Sequence, residues 1–362
     1  MCPFCFASEP YYFHHGICRR CLPYRGASLE EKDQLCVLTQ ADLSIELTQA
    51  QIESAHQIID HCFSTHVCVE AVCGAGKTEM CVPLIEHCLS RGLKIGWATP
   101  RKQIVIELSE RLQTYFKDSK IVAVYGSNTE IVEGDLVVCT THQIFRYHHY
   151  FDVLILDEPD AFPFKGNQLL QDLLRASLKG YCVFLSATFD NHQFINFGPI
   201  HKIYVNQRPS MEPLSVPIVT MSLWRMILEL WFLRSEKVLL FVPTIQTATL
   251  FSKILQCRCI TSKNEHAAQE IEQFRREQSG ILVTTTVLER GVTFKDCFVV
   301  VYDAGHVVFD EASLTQISGR VRRGMNPKKG HCMFYVKERS KVVDACINRI
   351  QKANGAGYAS QG

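Results

Sequence analysis

The chain has 362 residues, 47% of them hydrophobic and 21% charged, with a formal net charge of +1. That length suggests two or three packed domains, and that composition excludes a largely disordered chain. The near-neutral charge excludes a generally basic coat, so any phosphate-binding surface is expected to be a local patch.

Residues 1 to about 40 are Cys-rich and aromatic, with too little aliphatic sequence for a core. The start, Met1-Cys2-Pro3-Phe4-Cys5, has no basic flank and no apolar signal core. The 17 cysteines are an odd number, which fits full disulfide pairing poorly, and most of those after Cys21 sit in apolar runs. Buried, reduced thiols in a cytoplasmic protein are therefore expected. Cys2 and Cys5, then Cys18 and Cys21, repeat a two-residue spacing. Two such knuckles bring four thiolates to the corners of a tetrahedron, which suits a structural Zn2+ with no open coordination position. His14, His15 and Cys36 are spare candidates.

From residue 41 the texture changes to short aliphatic runs alternating with helix-like stretches. Val67–Val72, Ile95–Ala98, Ile121–Tyr125, Leu136–Cys139, Val153–Leu156 and Cys182–Leu185 lack alternation, as strands buried on both faces of a parallel sheet do. Pro209, Pro213 and Pro217 then mark a linker over 209–217. The pattern resumes at Val238–Val242, Cys259–Thr261, Ile281–Thr284, Phe298–Tyr302 and Met333–Val336. Met226 to Leu233 reads as an amphipathic helix, and no apolar run reaches the roughly 20 residues of a membrane span. The expected organisation is a module over 1–40, a first α/β domain over 41–208, the linker, a second α/β domain over 218–345 and a frayed tail over 346–362.

The run Ala71-Val72-Cys73-Gly74-Ala75-Gly76-Lys77-Thr78 follows a strand candidate and precedes an amphipathic stretch, the context required of a phosphate-binding loop. Gly74, Ala75 and Gly76 bring backbone N–H groups to phosphate oxygens, Lys77 reaches the β- and γ-phosphates of ATP, and the Thr78 hydroxyl binds Mg2+. Asp157-Glu158-Pro159-Asp160 ends another strand candidate, which places its acids at the carboxyl edge of the sheet. There Asp157 would hold Mg2+ through water and Glu158 would polarise the attacking water. Gln316-Ile317-Ser318-Gly319-Arg320-Val321-Arg322-Arg323 offers arginines to neutralise charge on the transferring phosphoryl group.

Read together, residues 45–340 resemble superfamily 2 helicases, which implies two RecA-like parallel-sheet domains in tandem. Ala71 to Thr78 resembles motif I, Asp157 to Asp160 motif II, Ser186-Ala187-Thr188 motif III and Gln316 to Arg323 motif VI. By that resemblance Arg320 and Arg323 are arginine fingers, while Arg322 stands where many members have Gly. Gln51 resembles the element that reads adenine. Thr99-Pro100-Arg101, Thr140-Thr141 with His142, and Thr284-Thr285-Thr286, continuing through Glu289-Arg290-Gly291-Val292, resemble the turns that contact nucleic acid.

An N-terminal four-Cys module joined to Asp157-Glu158-Pro159-Asp160-Ala161-Phe162-Pro163 resembles, more narrowly, ComFA, the late-competence ATPase family of Gram-positive bacteria. The resemblance implies an ATP-driven motor on single-stranded DNA, working at the cytoplasmic face of the membrane beside a DNA-uptake channel. It also implies a phosphoribosyltransferase-like competence partner (ComFC), homo-oligomers as rings, and no direct membrane insertion. An RNA helicase or a replication-restart helicase is the runner-up. DEAD-box RNA helicases carry Ala where this chain has Pro159, and restart helicases place their Cys pairs between the motor motifs.

Overall fold

The computed structural model describes residues 1–22, 29, 36, 40–43, 45–126, 128–189, 191–264, 267–286, 294, 297–321 and 330–358. By contacts it divides into two compact units, Met1–Ala71 with Gly76–Val205, and Val72–Ala75 with Asn206–Gly362.

The first unit opens on a two-stranded antiparallel ladder, β1 (Phe13–His14) and β2 (Ile17–Cys18). There follow α1 (Gln49–His61), β3 (His66–Ala71), α2 (Lys77–Met80), α3 (Val82–Ser90), β4 (Ile95–Thr99), α4 (Lys102–Tyr115), β5 (Ile121–Val124) and β6 (Leu136–Thr140). β7 (Phe151–Asp157), α5 (Gln168–Ser177), β8 (Leu178–Ser186) and β9 (Ile200–Val205) complete it. Its seven strands lie in the order β5-β6-β4-β7-β8-β3-β9 and pair in parallel throughout. Every residue of β4 and β6 is buried, which explains their unbroken apolar sequence. The helix expected after the phosphate loop is broken at Cys81, because Pro83 in the first turn of α3 cannot extend a helix that runs into it.

The second unit contains β10 (Ile218–Thr220), α6 (Leu223–Phe232), β11 (Lys237–Phe241), α7 (Ile245–Leu255), β12 (Arg258–Ile260), α8 (Ala267–Arg276) and β13 (Gly280–Thr284). β14 (Cys297–Val301), α9 (Glu311–Ser318), β15 (Cys332–Tyr335) and α10 (Lys341–Tyr358) follow. Its six strands, in the order β10-β15-β14-β11-β13-β12, are again all parallel. Beneath one face Met226, Leu230 and Ala248 of α6 and α7 pack with Val238 and Leu240; beneath the other Leu314 and Ile317 of α9 pack with Leu239 and Phe241.

Two strands of the large parallel sheets escape the apolar-run signal. β9 is an edge strand that alternates buried and exposed residues near its end, and β10 is three residues directly after Pro217. The tail expected to fray is a helix as far as Tyr358. Val343, Cys346 and Ile350, spaced three and four apart, bury one stripe of α10 in the second core. Asn354 closes the contact, its Nδ2 donating to Leu214 O (3.0 Å) and its Oδ1 accepting from Leu214 N–H (2.9 Å).

No disulfide forms among the described residues. Burial pushes the Cys139 and Cys62 thiols up to about 12, so they stay protonated and behave as small apolar groups. Also among the described residues, no helix is long and apolar enough to cross a membrane.

Truncating Ile350 should test whether α10 belongs to the core. Ile350→Ala is expected to cost about 2–4 kcal/mol in urea unfolding, as for other buried aliphatic truncations. The exposed neighbour Gln351, changed to Ala, should stay within about 0.5 kcal/mol. A frayed tail would make both variants silent.

His66 on β3 is a second probe. Its Nδ1 accepts from Cys182 N–H at 3.0 Å, and burial, with the nearby Arg175 charge, lowers its pKa to about 4. The unfolded chain binds that proton below about 6.5. Stability from this group is thus complete above about pH 6.5 and drains away as the pH falls towards 4. The urea midpoint of His66→Gln should decline less over that window than the parent's; parallel curves would rule the linkage out.

Candidate active site

Parallel pairing sends the loops after β3, β4, β6, β7 and β8 out at one edge of the first sheet. The register aligns them: Thr99 pairs with Thr140, Asp157 with Leu185 and Glu70 with Ser186.

After β3 the chain turns through Gly74 (φ 84°) and Gly76 (φ 76°), left-handed positions that favour glycine, and enters α2 at Lys77. A Cβ on Gly76 would overlap the Gln51 amide nitrogen. Gln51 itself is fixed by a capping box at the start of α1: Thr48 Oγ1 accepts from Gln51 N–H, and Gln51 Oε1 accepts from Thr48 N–H at 2.9 Å. The buried Gln51 side chain therefore rests on the phosphate loop. Ala75, between the two glycines, is buried.

Lys77 Nζ lies 3.4 Å from Asp157 Oδ1. That carboxylate oxygen is buried and makes no hydrogen bond among the described residues, so the lysine charge balances it across an ion-pair distance. Thr78 Oγ1 accepts from Arg111 Nη2 on α4 at 3.2 Å, and Arg111 also approaches Glu79 (3.4 Å). A hydroxyl and an unsatisfied carboxylate oxygen beside a phosphate loop form a hard oxygen set that fits Mg2+, with water completing the shell. Glu158 follows Asp157 with φ 53°, a strained conformation for a side chain of its size. Its N–H is anchored on Leu185 O (2.9 Å). Asp160 ties this loop to β8: Oδ1 accepts from Ser186 Oγ and Oδ2 from Thr188 Oγ1, both at 2.9 Å. The tripeptide Ser186-Ala187-Thr188 thus has a definite partner in the acidic loop.

In the second unit Arg320 follows α9 and is 1% exposed. Arg208 brackets that turn, donating to Gly319 O (3.0 Å) and Val321 O (3.1 Å). Neither Arg208 nor Arg111 was singled out from the sequence, because the partners of both are far away along the chain. Arg322 and Arg323 lie outside the described residues, as do 289–292.

The turns expected to grip nucleic acid are less open than their sequence suggests. Thr99, Thr140, Thr141, Thr284 and Thr285 are buried, and Thr284 Oγ1 donates to Ile260 O at 2.9 Å. The cause is placement: Thr99, Thr140 and Thr284 are the last residues of β4, β6 and β13, none of them an edge strand. Pro100, Arg101 and Thr286, one step further on, are half-buried. Phe162, which sequence reasoning took only as part of a motif, is 88% exposed in the loop after Asp160.

The sulfurs of Cys2, Cys5, Cys18 and Cys21 all lie within 4.8 Å of one another. Cys2 and Cys21 are 3.5 Å apart, and Cys5 and Cys18 3.7 Å. The edge of a tetrahedron with metal–sulfur bonds of about 2.3 Å is about 3.8 Å, so the cluster fits zinc. Burial opposes ionisation of Cys2, but backbone hydrogen bonds from Phe4 and Cys5, together with those from the Cys21 and Cys5 thiols, outweigh it and hold its pKa down to about 7, while burial pushes Cys5 up. Arg20, between the last two cysteines, donates to Cys5 O (3.1 Å) and to Asp172 Oδ2 of α5 (2.7 Å), which docks the cluster on the first unit.

The chain is 32% identical over 335 residues to Competence protein ComFA of Bacillus subtilis, spanning 85% of this chain and 72% of that one. The chain belongs to the ComFA family. ComFA of Streptococcus pneumoniae is 31% identical over 314 residues, 79% of this chain and 72% of its own. Residues 48–195 match the DEAD/DEAH box helicase model, and residues 222–325 match the helicase conserved C-terminal domain. The structure of S. cerevisiae Dbp5 bound to RNA and ADP BeF3 superposes with a TM-score of 0.65 at 18% identity, over 86% of this chain and 88% of that one. The fold is therefore two RecA-like domains in tandem. This member of the ComFA family is a superfamily 2 helicase-like ATPase.

Proposed function

We propose that the chain couples ATP hydrolysis to movement along single-stranded DNA, and that this movement serves the uptake of transforming DNA. Kinship with competence proteins supports the setting. The observation that carries the chemistry is the pairing of Lys77 with Asp157 at 3.4 Å, one residue from the strained Glu158.

In this reading the backbone N–H groups of Gly74 to Thr78 and the Lys77 ammonium hold the ATP phosphates, with Gln51 bracing the loop. Thr78 and Asp157 hold Mg2+, which when bound supplies charge stabilisation to the transferring phosphoryl group. Glu158 takes a proton from the attacking water, and Arg320 and Arg323 neutralise the charge that develops. DNA is gripped through its phosphates, which repeat with every nucleotide, by the turn ending at Arg101 and by Thr286 with their backbone N–H groups. The work is placed at the cytoplasmic face of the membrane, with a ComFC-like protein and the uptake channel as partners. A zinc ion held by Cys2, Cys5, Cys18 and Cys21 keeps the N-terminal segment folded.

Steady-state ATP turnover decides the central claim. Single-stranded DNA should stimulate it more than blunt duplex of equal length; stimulation by RNA alone would favour an RNA helicase. Glu158→Gln should keep nucleotide binding while losing about 10²- to 10⁴-fold in turnover. Lys77→Ala should lose both. Wild-type turnover in Glu158→Gln would remove it from the water-positioning role.

Metal content tests the cluster. One zinc per chain is expected in reduced protein, and Cys18→Ala should release it. The first sheet should keep a cooperative melt at a lower midpoint, since most of its core comes from its own strands while the four cysteines pack into one side of it. Stoichiometric absence of zinc in fresh protein would contradict the assignment.

A further inference from the structure

The second unit carries a surface that the ATPase reading does not use. Trp224 (77% exposed), Trp231 (58%) and Phe232 (67%) stand on α6, with Leu223, Ile227 and Leu228 exposed between them. Aromatic side chains of about 150–250 Å² each make those three alone worth roughly 400 Å², already the size of the largest patch on an ordinary monomer. With the aliphatic residues and the exposed Ile218 and Met221 alongside, the area approaches the roughly 800 Å² per partner of a stable interface.

Next to α6 lies the edge strand β10, which pairs only with β15 among the described residues. Thr220 O accepts from Val336 N–H at 3.0 Å on the β15 side. Strand alternation therefore turns the N–H and C=O of Val219 outward, the arrangement that lets a strand pair with its own copy by exchanging two hydrogen bonds.

We propose that β10 and α6 form an isologous interface with a second copy of this chain. A two-fold axis at Val219 joins the two six-stranded sheets through antiparallel β10 strands. The same axis lays the two α6 helices antiparallel across the seam. With their midpoints between Ile227 and Leu228, Trp224 faces the partner's Trp231, and Arg225, level with the partner's Leu230, lies one residue from the partner's Glu229. Arg225 is exposed, and Glu229 is held in place by His331 Nε2 at 2.7 Å. In this self-paired, antiparallel alignment each charge pair occurs twice, once on either side of the axis. A lipid surface would leave the outward backbone groups of Val219 without partners, and among the described residues α6 and the turn after it expose two cations, Arg225 and Arg234. An isologous contact closes at two copies, so a ring would need a second, different surface.

Sedimentation velocity of the full chain over about 0.5–50 µM should show a monomer–dimer equilibrium. Trp224→Glu should weaken self-association at least about 30-fold, as loss of a hot-spot tryptophan does. Its unstimulated ATP turnover and melting temperature should match the parent, which shows the variant is folded. Arg225→Glu should weaken the dimer, and Arg225→Glu with Glu229→Arg should restore it. A monomer at every concentration, a dimer indifferent to Trp224→Glu, or a double reversal no better than the single one would overturn the proposal. So would a monomer that binds anionic phosphatidylserine-containing vesicles through Trp224.

Discussion

Parallel strand pairing is the constraint on which the rest depends. A parallel strand cannot return by a tight turn, so each crossover carries the chain across a face of the sheet and every strand ends at the same edge. In the first unit that edge receives the phosphate loop, the acidic loop and the Ser186–Thr188 turn at once. Lys77 and Asp157 are thereby brought to 3.4 Å although eighty positions separate their numbers. Asp160 then locks the acidic loop to the neighbouring strand through two hydroxyls.

The near-neutral chain uses its charges locally. Arg208 is spent on backbone carbonyls that flank the Arg320 turn, and Arg20 on Asp172. Both of these guanidinium groups are thus matched by acceptors, as removal of a charge from water requires. Arg20 has a further consequence. It sits between Cys18 and Cys21, and its partner Asp172 lies on α5, the helix that follows the acidic loop. The four-cysteine cluster and the acidic loop therefore rest on neighbouring parts of one covalent segment.

The motifs were legible because the chemistry needs contiguous residues at strand ends, and strands covered on both faces announce themselves as short aliphatic runs. The cysteine knuckles were legible because tetrahedral sulfur ligation needs fixed local spacing. Elements whose partners lie far away were not. β9 and β10, at sheet edges, lack the apolar run; the tail became a helix because Val343, Cys346 and Ile350 find the second core and Asn354 finds Leu214. The threonines of the expected DNA turns read as surface hydroxyls, yet Thr284 is spent on Ile260 O.

The sequence by itself determined which residues flank each strand end, which cysteines share a cluster, and the family to which those motifs belong. These are local properties, set by spacing, side-chain chemistry and the apolar runs of buried strands. Only the tertiary structure decided which hydroxyls remain available, which arginines are structural, and which apolar residues stay in water. A residue's exposure depends on what packs over it. For Trp224 on α6 and Ile218 on β10, at one edge of the second sheet, no described residue covers them fully.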